Sequence, residues 1–186
     1  APYISATVDF CIDPATGLSN CGLRRLMLRG PKETGVDLNA PSDLRAIYMA
    51  ASARGEKLPV AYVIGMHPID HVAATMKQPG DELGLISSLR AAPLPVVKCV
   101  TNDVMVPADA EIVLEGYLDP AGYTEKEGPY GEYMGYYGAI HMDPVFTCTA
   151  ITMRKDVMYQ TLQHGTAFKL DQTDAASMTA LRVEAT

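Results

Sequence analysis

Glu127 and Glu132 close the two ends of the run Glu127-Gly128-Pro129-Tyr130-Gly131-Glu132, inside a stretch from Tyr123 to Tyr137 that holds five of the ten tyrosines. Two carboxylates five positions apart point to opposite faces of a strand and stand roughly 140° apart on a helix, so regular structure cannot bring them together. Gly128, Pro129 and Gly131 break the backbone and allow a turn that swings both acids toward one point. Paired carboxylates in a partly apolar pocket repel, so one tends to keep a proton near neutral pH and can serve as a general acid. The alternative, read from the same residues, is a solvated glycine-rich loop.

Three further groups invite chemistry. Arg24 and Arg25 are adjacent in a predicted strand, which should turn one inward and the other to water, and a buried arginine demands a carboxylate partner. In Gly80-Asp81-Glu82, Asp81 sits where a capping residue is expected at a helix start, and Glu82 becomes notable only if other hard oxygen ligands gather around it. His67 and His71 have the i, i+4 spacing of zinc ligands, but Pro68 between them and the lack of a protease-type glutamate weaken that reading. Neither G-x-x-x-x-G-K-[ST] nor G-x-G-x-x-G occurs, so a phosphate-bearing ligand finds no ready-made glycine cradle and would need a metal ion to bridge it to an acidic protein.

These residues must be positioned by regular elements. Residues 3–12 alternate, with Ile4, Ala6, Val8, Phe10 and Ile12 on one face, which predicts a half-buried strand. The turn Asp13-Pro14-Ala15-Thr16-Gly17 leads to a second strand over 22–28, and the pair predicts a hairpin. A helix opens at Pro41-Ser42 and ends near Gly55, with Leu44, Ile47, Tyr48 and Ala51 on one face. The spacing predicts a buried strand over 59–64, helices over 68–76 and 81–89, and strands over 96–100, 111–118, 145–154 and 157–162, the last two joined at Lys155-Asp156. The class is α+β.

The 186 residues suit one domain, 1–165, with the polar, alanine-rich 166–186 as a linker or the start of another domain. Hydrophobic residues at 48% and charged residues at 20% place the chain among globular proteins. The 15 basic residues against 22 acidic ones give a net charge of −7, which argues against nucleic acid or an anionic membrane as partner. No apolar run approaches the ~18–20 residues of a membrane helix. The first dozen residues lack a signal-peptide layout, and a cytoplasmic location is expected. Cys11, Cys21, Cys99 and Cys148 are scattered without a C-x-x-C and read as reduced thiols.

Several runs are specific in combination: Lys98-Cys99-Val100-Thr101-Asn102-Asp103, then Val106-Pro107-Ala108-Asp109-Ala110-Glu111, then Glu127-Gly128-Pro129-Tyr130-Gly131-Glu132 with Gly135-Tyr136-Tyr137, and Ala150-Ile151-Thr152 with Arg154-Lys155-Asp156 and Tyr159-Gln160. Together they resemble the UbiD family of decarboxylases, from about Asp9 to Gln160, and they match that family's central, cofactor-binding domain. The resemblance implies a split β-barrel of mostly antiparallel strands with flanking helices. It implies prenylated FMN, modified by a partner flavin prenyltransferase, and reversible non-oxidative decarboxylation of aromatic or α,β-unsaturated acids. In the full-length enzyme it implies a homo-oligomer. A cofactor-binding module, inactive without a missing C-terminal domain, is the alternative.

Residue by residue, the family's Asn-x-x-x-x-Arg pattern falls on Asn20-Cys21-Gly22-Leu23-Arg24-Arg25 and selects Arg25 over Arg24. By the same resemblance Glu132 is the proton donor, Arg25 positions the substrate carboxylate and Glu127 supports Arg25. Cofactor contacts are implied at Asn20, Gly22, Leu23, Arg25, Ala73, Met76 and Glu82. The implied manganese or magnesium ligands are Asn20, Glu82 and Asp43, where Asp43 stands in place of the family's histidine and could equally be a helix cap. A potassium ion is implied near the backbone of Ala73, Ala74 and Met76.

Overall fold

The computed structural model describes residues 1–77, 79–132 and 135–162. The expected segment 166–186 and the end of the expected 1–165 domain lie outside them. Ten strands and three helices run in the order β1 (Tyr3–Ile12), β2 (Ser19–Leu28), β3 (Glu33–Val36), α1 (Asp43–Ala53), β4 (Leu58–Ile64), α2 (Pro68–Ala74), α3 (Glu82–Arg90), β5 (Val96–Lys98), β6 (Met105–Pro107), β7 (Ile112–Leu118), β8 (Glu125–Glu127), β9 (His141–Asp143) and β10 (Val145–Met153), counted among the described residues.

Six strands close into a barrel in the order β1-β2-β3-β10-β7-β4, each neighbour antiparallel. Closure leaves no free edge, which removes the unpaired backbone groups an open sheet would expose. This is the α+β barrel with flanking helices that the sequence leads one to expect. The first hairpin is present as read, with Phe10 opposite Cys21 and Cys11 opposite Asn20.

Strand alternation separates two cores. Leu58, Val60, Tyr62 and Ile64 of β4 point into the barrel, where they meet Leu26, Leu114, Leu118, Phe146 and the α1 residues Leu44, Tyr48 and Ala51. Ala61 and Val63 point outward with Val8 and Phe10 of β1, and α2 and α3 cover them with Ala73, Ala74, Leu85 and Ile86. Because β1 is covered on both sides, Ala6 to Cys11 are all buried, and the half-buried strand expected over 3–12 is corrected to a central one. Arg90 of α3 ties the two covering helices to the barrel by binding Asp70 of α2 and Asp109 ahead of β7.

Other elements depart from expectation. Residues 157–162 form no strand; their segment passes over the surface, and the Met158 N–H donates to Glu111 at 2.9 Å. The lone polar tip Lys155-Asp156 therefore ends β10 instead of joining a hairpin. The short strands β3, β6, β8 and β9 carry too few residues to show alternation, and the sequence reading passes over them.

Gly116 of β7 lies directly against β10. A Cβ there would overlap the Thr147 carbonyl oxygen, and would stand 2.8 Å from the Phe146 ring. Gly116→Ala should therefore cost at least ~3 kcal/mol, since backbone cannot be repacked as a side chain can, whereas Gly30, with open space around it, should accept alanine almost silently. Chemical denaturation of the two variants checks this: equal midpoints would mean that β7 and β10 are not so closely apposed.

Candidate functional site

One strand carries the site. β2 supplies Asn20, Gly22, Leu23, Arg24 and Arg25, and the side chains that meet them come from the chain segments that close over it. At the Arg25 end, Glu127 leaves β8 and the chain turns through a cis Gly128-Pro129 peptide, with Gly128 at φ 106°, a conformation that favours glycine. The turn brings Tyr130 back toward β1 and pairs Gly131 with Tyr137. Glu127 and Glu132 thereby reach one point, and that point is the Arg25 guanidinium.

Arg25 Nε and Nη2 donate to the two oxygens of Glu127, each at 3.0 Å, and Nη1 donates to Glu132 Oε1 at 2.9 Å. Glu127 is completely buried while the Glu132 side chain is 36% exposed. Asp37, just beyond β3, is a third partner, with Oδ2 3.1 Å from Nη2. Tyr130 stacks its ring under the guanidinium, 4.5 Å from centroid to Cζ, and Tyr3 meets Tyr130 edge to face. Burial opposes the charge on Arg25, but the Glu127 hydrogen bonds and the charges of Asp37, Glu127 and Glu132 outweigh it and raise its pKa.

Behind this group lies Asp143, fully buried in β9. It accepts from the Leu38 N–H at 3.1 Å and from Asn39 Nδ2 at 2.9 Å. Burial, to which Asp37 and Glu127 add, pushes its carboxyl up to about 6.

At the other end of β2, Glu82 at the first turn of α3 accepts from the Cys21 N–H. Asn20 Nδ2 donates to Asp9 at 3.4 Å, and Asp43 at the start of α1 pairs with Lys77 at 3.0 Å. Asn20, Asp43 and Glu82 line one cavity of about 440 Å³. Burial pushes Glu82 up and Asp9 up to about 6; the Asp43 charge adds to the first, and Arg24 opposes the second. An acid cluster with too little positive charge is what a hard cation would relieve, and an all-oxygen set of amide and carboxylates suits manganese or magnesium. Among the described residues no three His, Cys, Asp or Glu side chains gather as a metal-binding group.

The remaining expected residues fall as follows. The Asp43 alternative of a helix cap is not what the structure has: Ser42 caps α1 through its hydroxyl, which accepts from the Arg45 N–H, and Asp81 caps α3 as read. Leu23 is exposed and lines the cleft, as does Met76, while Ala73 turns its side chain into the outer core, leaving Ala74 beside Met76 in the wall. His67 caps α2 and His71 bonds Gln160 at 2.8 Å, so the two do not converge on a metal. All four cysteines are free thiols. The expectation for the arginine pair is corrected: neither faces water. Arg24, only 13% exposed, pairs with the buried Asp9 at 3.2 Å and donates to Ser42 at 3.1 Å.

A cleft of about 600 Å³ runs past Arg25, Glu132, Asp37 and Tyr130, and shares Leu23, Arg24, Ser42 and Thr75 with the smaller cavity around Asn20 and Glu82. From Asn20 to Arg25 is five residues of extended chain, roughly 17 Å at the strand rise. The groove thus has an acidic, oxygen-rich end, a cation midway, and a guanidinium at the far end. Gly22 floors it; a Cβ there would press within 3.2 Å of Asp9 and 3.3 Å of the Arg24 guanidinium. The sequence reading missed Asp37, because nothing in its neighbours marks it, and the Asp9–Arg24 pair, for which the one signal was an acid among the apolar residues of β1.

A family model described as UbiD, 3-octaprenyl-4-hydroxybenzoate carboxy-lyase Rift-related domain, matches residues 1–167. An evolved dimeric form of the UbiD-class enzyme HmfF from Pelotomaculum thermopropionicum, in complex with prFMN, is 40% identical over 87% of this chain and 38% of its own, with a TM-score of 0.82. Vanillic acid decarboxylase from Sedimentibacter hydroxybenzoicus is 27% identical over 88% of this chain and 36% of its own, with a TM-score of 0.82. The 3,4-dihydroxybenzoic acid decarboxylase of Klebsiella pneumoniae is 28% identical over 89% of this chain and 37% of its own, with a TM-score of 0.80. The chain therefore spans little more than a third of the length of these relatives.

The buried acid behind Arg25 gives a pH signature. Asp143 titrates near 6 when folded against 3.8 when unfolded, so the folded state holds its proton more tightly. The resulting stability is complete below pH ~4 and is lost as the pH rises through ~6, a loss on the order of 2–3 kcal/mol for one such group. Asp143→Asn should lack this component, so its stability relative to wild type should improve between pH 4 and 6. Denaturant titrations across that range test it, and a pH-independent difference would mean that Asp143 ionises freely.

Proposed function

The chain belongs to the UbiD family, and on that premise we propose that it is the cofactor-binding part of a prenylated-FMN-dependent carboxy-lyase. Its substrate class is an aromatic or α,β-unsaturated carboxylic acid. The observation that carries the reading is the Arg25 guanidinium held between Glu127 and Glu132 at the mouth of an open cleft. A carboxylate-binding group and a carboxyl that can carry a proton stand there side by side.

The groove suits the cofactor by its donor set. Asn20, Asp43 and Glu82 would hold manganese or magnesium at the phosphate end, with Arg24 close by as a second neutralising charge, and backbone near Ala73, Ala74 and Met76 would hold potassium. Leu23 and Gly22 would lie along the flavin. When bound, the prenylated flavin supplies an electron sink for the pair left when the bond to carbon dioxide breaks. The protein's part is positional and protonic. Glu127 uses both oxygens to fix the guanidinium plane, so that Arg25 turns its outer edge, Nη1 with Nη2, toward the acid's carboxylate. Glu132, on the exposed side of Arg25, delivers a proton from its carboxyl to the carbon that has lost carbon dioxide, and regains one from solvent.

A flavin prenyltransferase would supply the cofactor, in the cytoplasm, and the whole enzyme would be a homo-oligomer, as the dimeric relative suggests. A second reading draws on the same relatives: a chain spanning 36–38% of their length would bind flavin yet need a further domain to enclose the substrate. Co-expression with a flavin prenyltransferase, followed by absorbance and mass spectra of the bound cofactor and a decarboxylation assay, separates the two. Bound prenylated FMN with turnover supports the enzyme, bound cofactor without turnover supports the module, and no bound flavin defeats both.

Glu132→Gln should keep the cofactor and lose at least ~100-fold in turnover, because the amide preserves shape and removes the transferable proton. Turnover within a few-fold of wild type would end the proton-donor assignment. At the metal end, Glu82→Gln still accepts from the Cys21 N–H but loses a charge, so manganese and flavin should be lost together, with metal affinity down at least ~10-fold. Asp43→His should shift preference toward manganese over magnesium, since imidazole favours the softer ion. Identical titrations of both ions in wild type and variant would remove Asp43 from the ligand set.

A further inference from the structure

Resting on the assignment of Arg25 as the seat of the substrate carboxylate, we infer that Asp37 is a built-in competitor for that seat, a positioning residue that the incoming acid must displace. A guanidinium offers five N–H groups along two usable edges. The inner edge, Nε with Nη2, is closed by Glu127 at 3.0 Å on each nitrogen. The outer edge, Nη1 with Nη2, is the one a carboxylate could grip with both oxygens, and it is divided between Glu132 on Nη1 at 2.9 Å and Asp37 on Nη2 at 3.1 Å.

The three acids are not equally free to yield. Glu127 is fully buried and cannot leave Arg25 without stranding a charge, whereas Asp37 is 28% exposed and Glu132 36% exposed. Both of the latter line the 600 Å³ cleft, so water can take over their oxygens when substrate arrives. Asp37 is also divided in its duties. Its Oδ1 accepts from the Asn39 N–H at 3.2 Å and from Asn39 Nδ2 at 3.4 Å, closing a local turn, and Asn39 in turn holds Asp143. Only Oδ2 reaches Arg25. In the free enzyme the turn presents this one oxygen to the outer edge, where an incoming acid has to take its place, and that competition weakens the grip on the acid.

Asparagine at this position retains Oδ1 for the turn and removes the charge that competes, so Asp37→Asn separates the two duties. The probes are benzoate and its neutral isostere benzamide, titrated by NMR into the purified chain. Benzoate should bind Asp37→Asn roughly two- to fivefold more tightly than wild type, about the worth of one ion pair at a partly exposed site, while benzamide should bind both alike. Asp37→Glu should restore the wild-type ratio of benzoate to benzamide affinity. In the loaded enzyme, KM for the acid should fall by more than kcat changes. Should Asp37→Asn fail to fold, Asp37→Ser, whose hydroxyl can close the same turn, serves in its place. Wild type that prefers benzoate to benzamide, with that preference unchanged in the variants, overturns the role of Asp37 and leaves Arg25 as the seat. Wild type that does not distinguish the two probes overturns the seat itself, and this inference with it.

Discussion

The two-pronged ion pair between Arg25 and Glu127 is the interaction on which the site depends. Glu127 has no exposure at all, and a buried carboxylate without its partner costs about 3–5 kcal/mol. That cost joins β8, whose short hairpin with β9 adds no strand to the barrel, to β2 through two residues 102 positions apart in the chain. Once the pair is made, the guanidinium plane is set, Tyr130 packs against it, and the turn that follows Glu127 has to deliver Glu132 to the remaining nitrogen. Geometry at the Arg25 end of the cleft is thus a consequence of one buried charge being satisfied.

The groove along β2 follows a similar logic at its other end. Two helix starts face it: Ser42 and Asp43 at α1, and Asp81 and Glu82 at α3, while α2 ends nearby at Ala74. Helix starts favour carboxylates through the exposed N–H groups of the first turn, so the acids gathered there have a local structural reason as well as a functional one. What distinguishes Glu82 from an ordinary first-turn acid is its burial and its bond to the backbone of β2, which carries Asn20 beside it. Asp43 differs in kind. It remains half exposed and paired with Lys77, a partner that a metal ion would replace.

Barrel closure explains why a strand reading alone misjudged the arginines. On an exposed sheet face, neighbours alternate between core and water. Here the outer face of β2 is covered by α2, α3 and the β8 turn, where Arg25 meets Glu127, while Arg24 on the opposite face meets the buried Asp9. Asp9 lies between the outward-pointing Val8 and Phe10, so it is buried on the barrel side of β1 opposite Tyr62, and Asp37, on a loop with no distinguishing composition, reaches Arg25.

Sequence by itself determined the elements whose period runs long enough to be read: the β1–β2 hairpin, the three helices, and the strands at 58–64, 112–118 and 145–153. It also determined that Glu127 and Glu132 require a broken backbone to meet, because glycines and a proline between them exclude helix and strand alike. Strands of three or four residues, such as β3, β8 and β9, hold too little periodicity to be seen. Only the tertiary structure decided that Arg24 pairs with Asp9, that Ser42 and not Asp43 caps α1, and that Asp37 shares the outer edge of Arg25. Each of those is a contact between segments far apart in the chain, fixed by how a closed barrel turns its strands and what the helices cover, and local residue type carries no record of either.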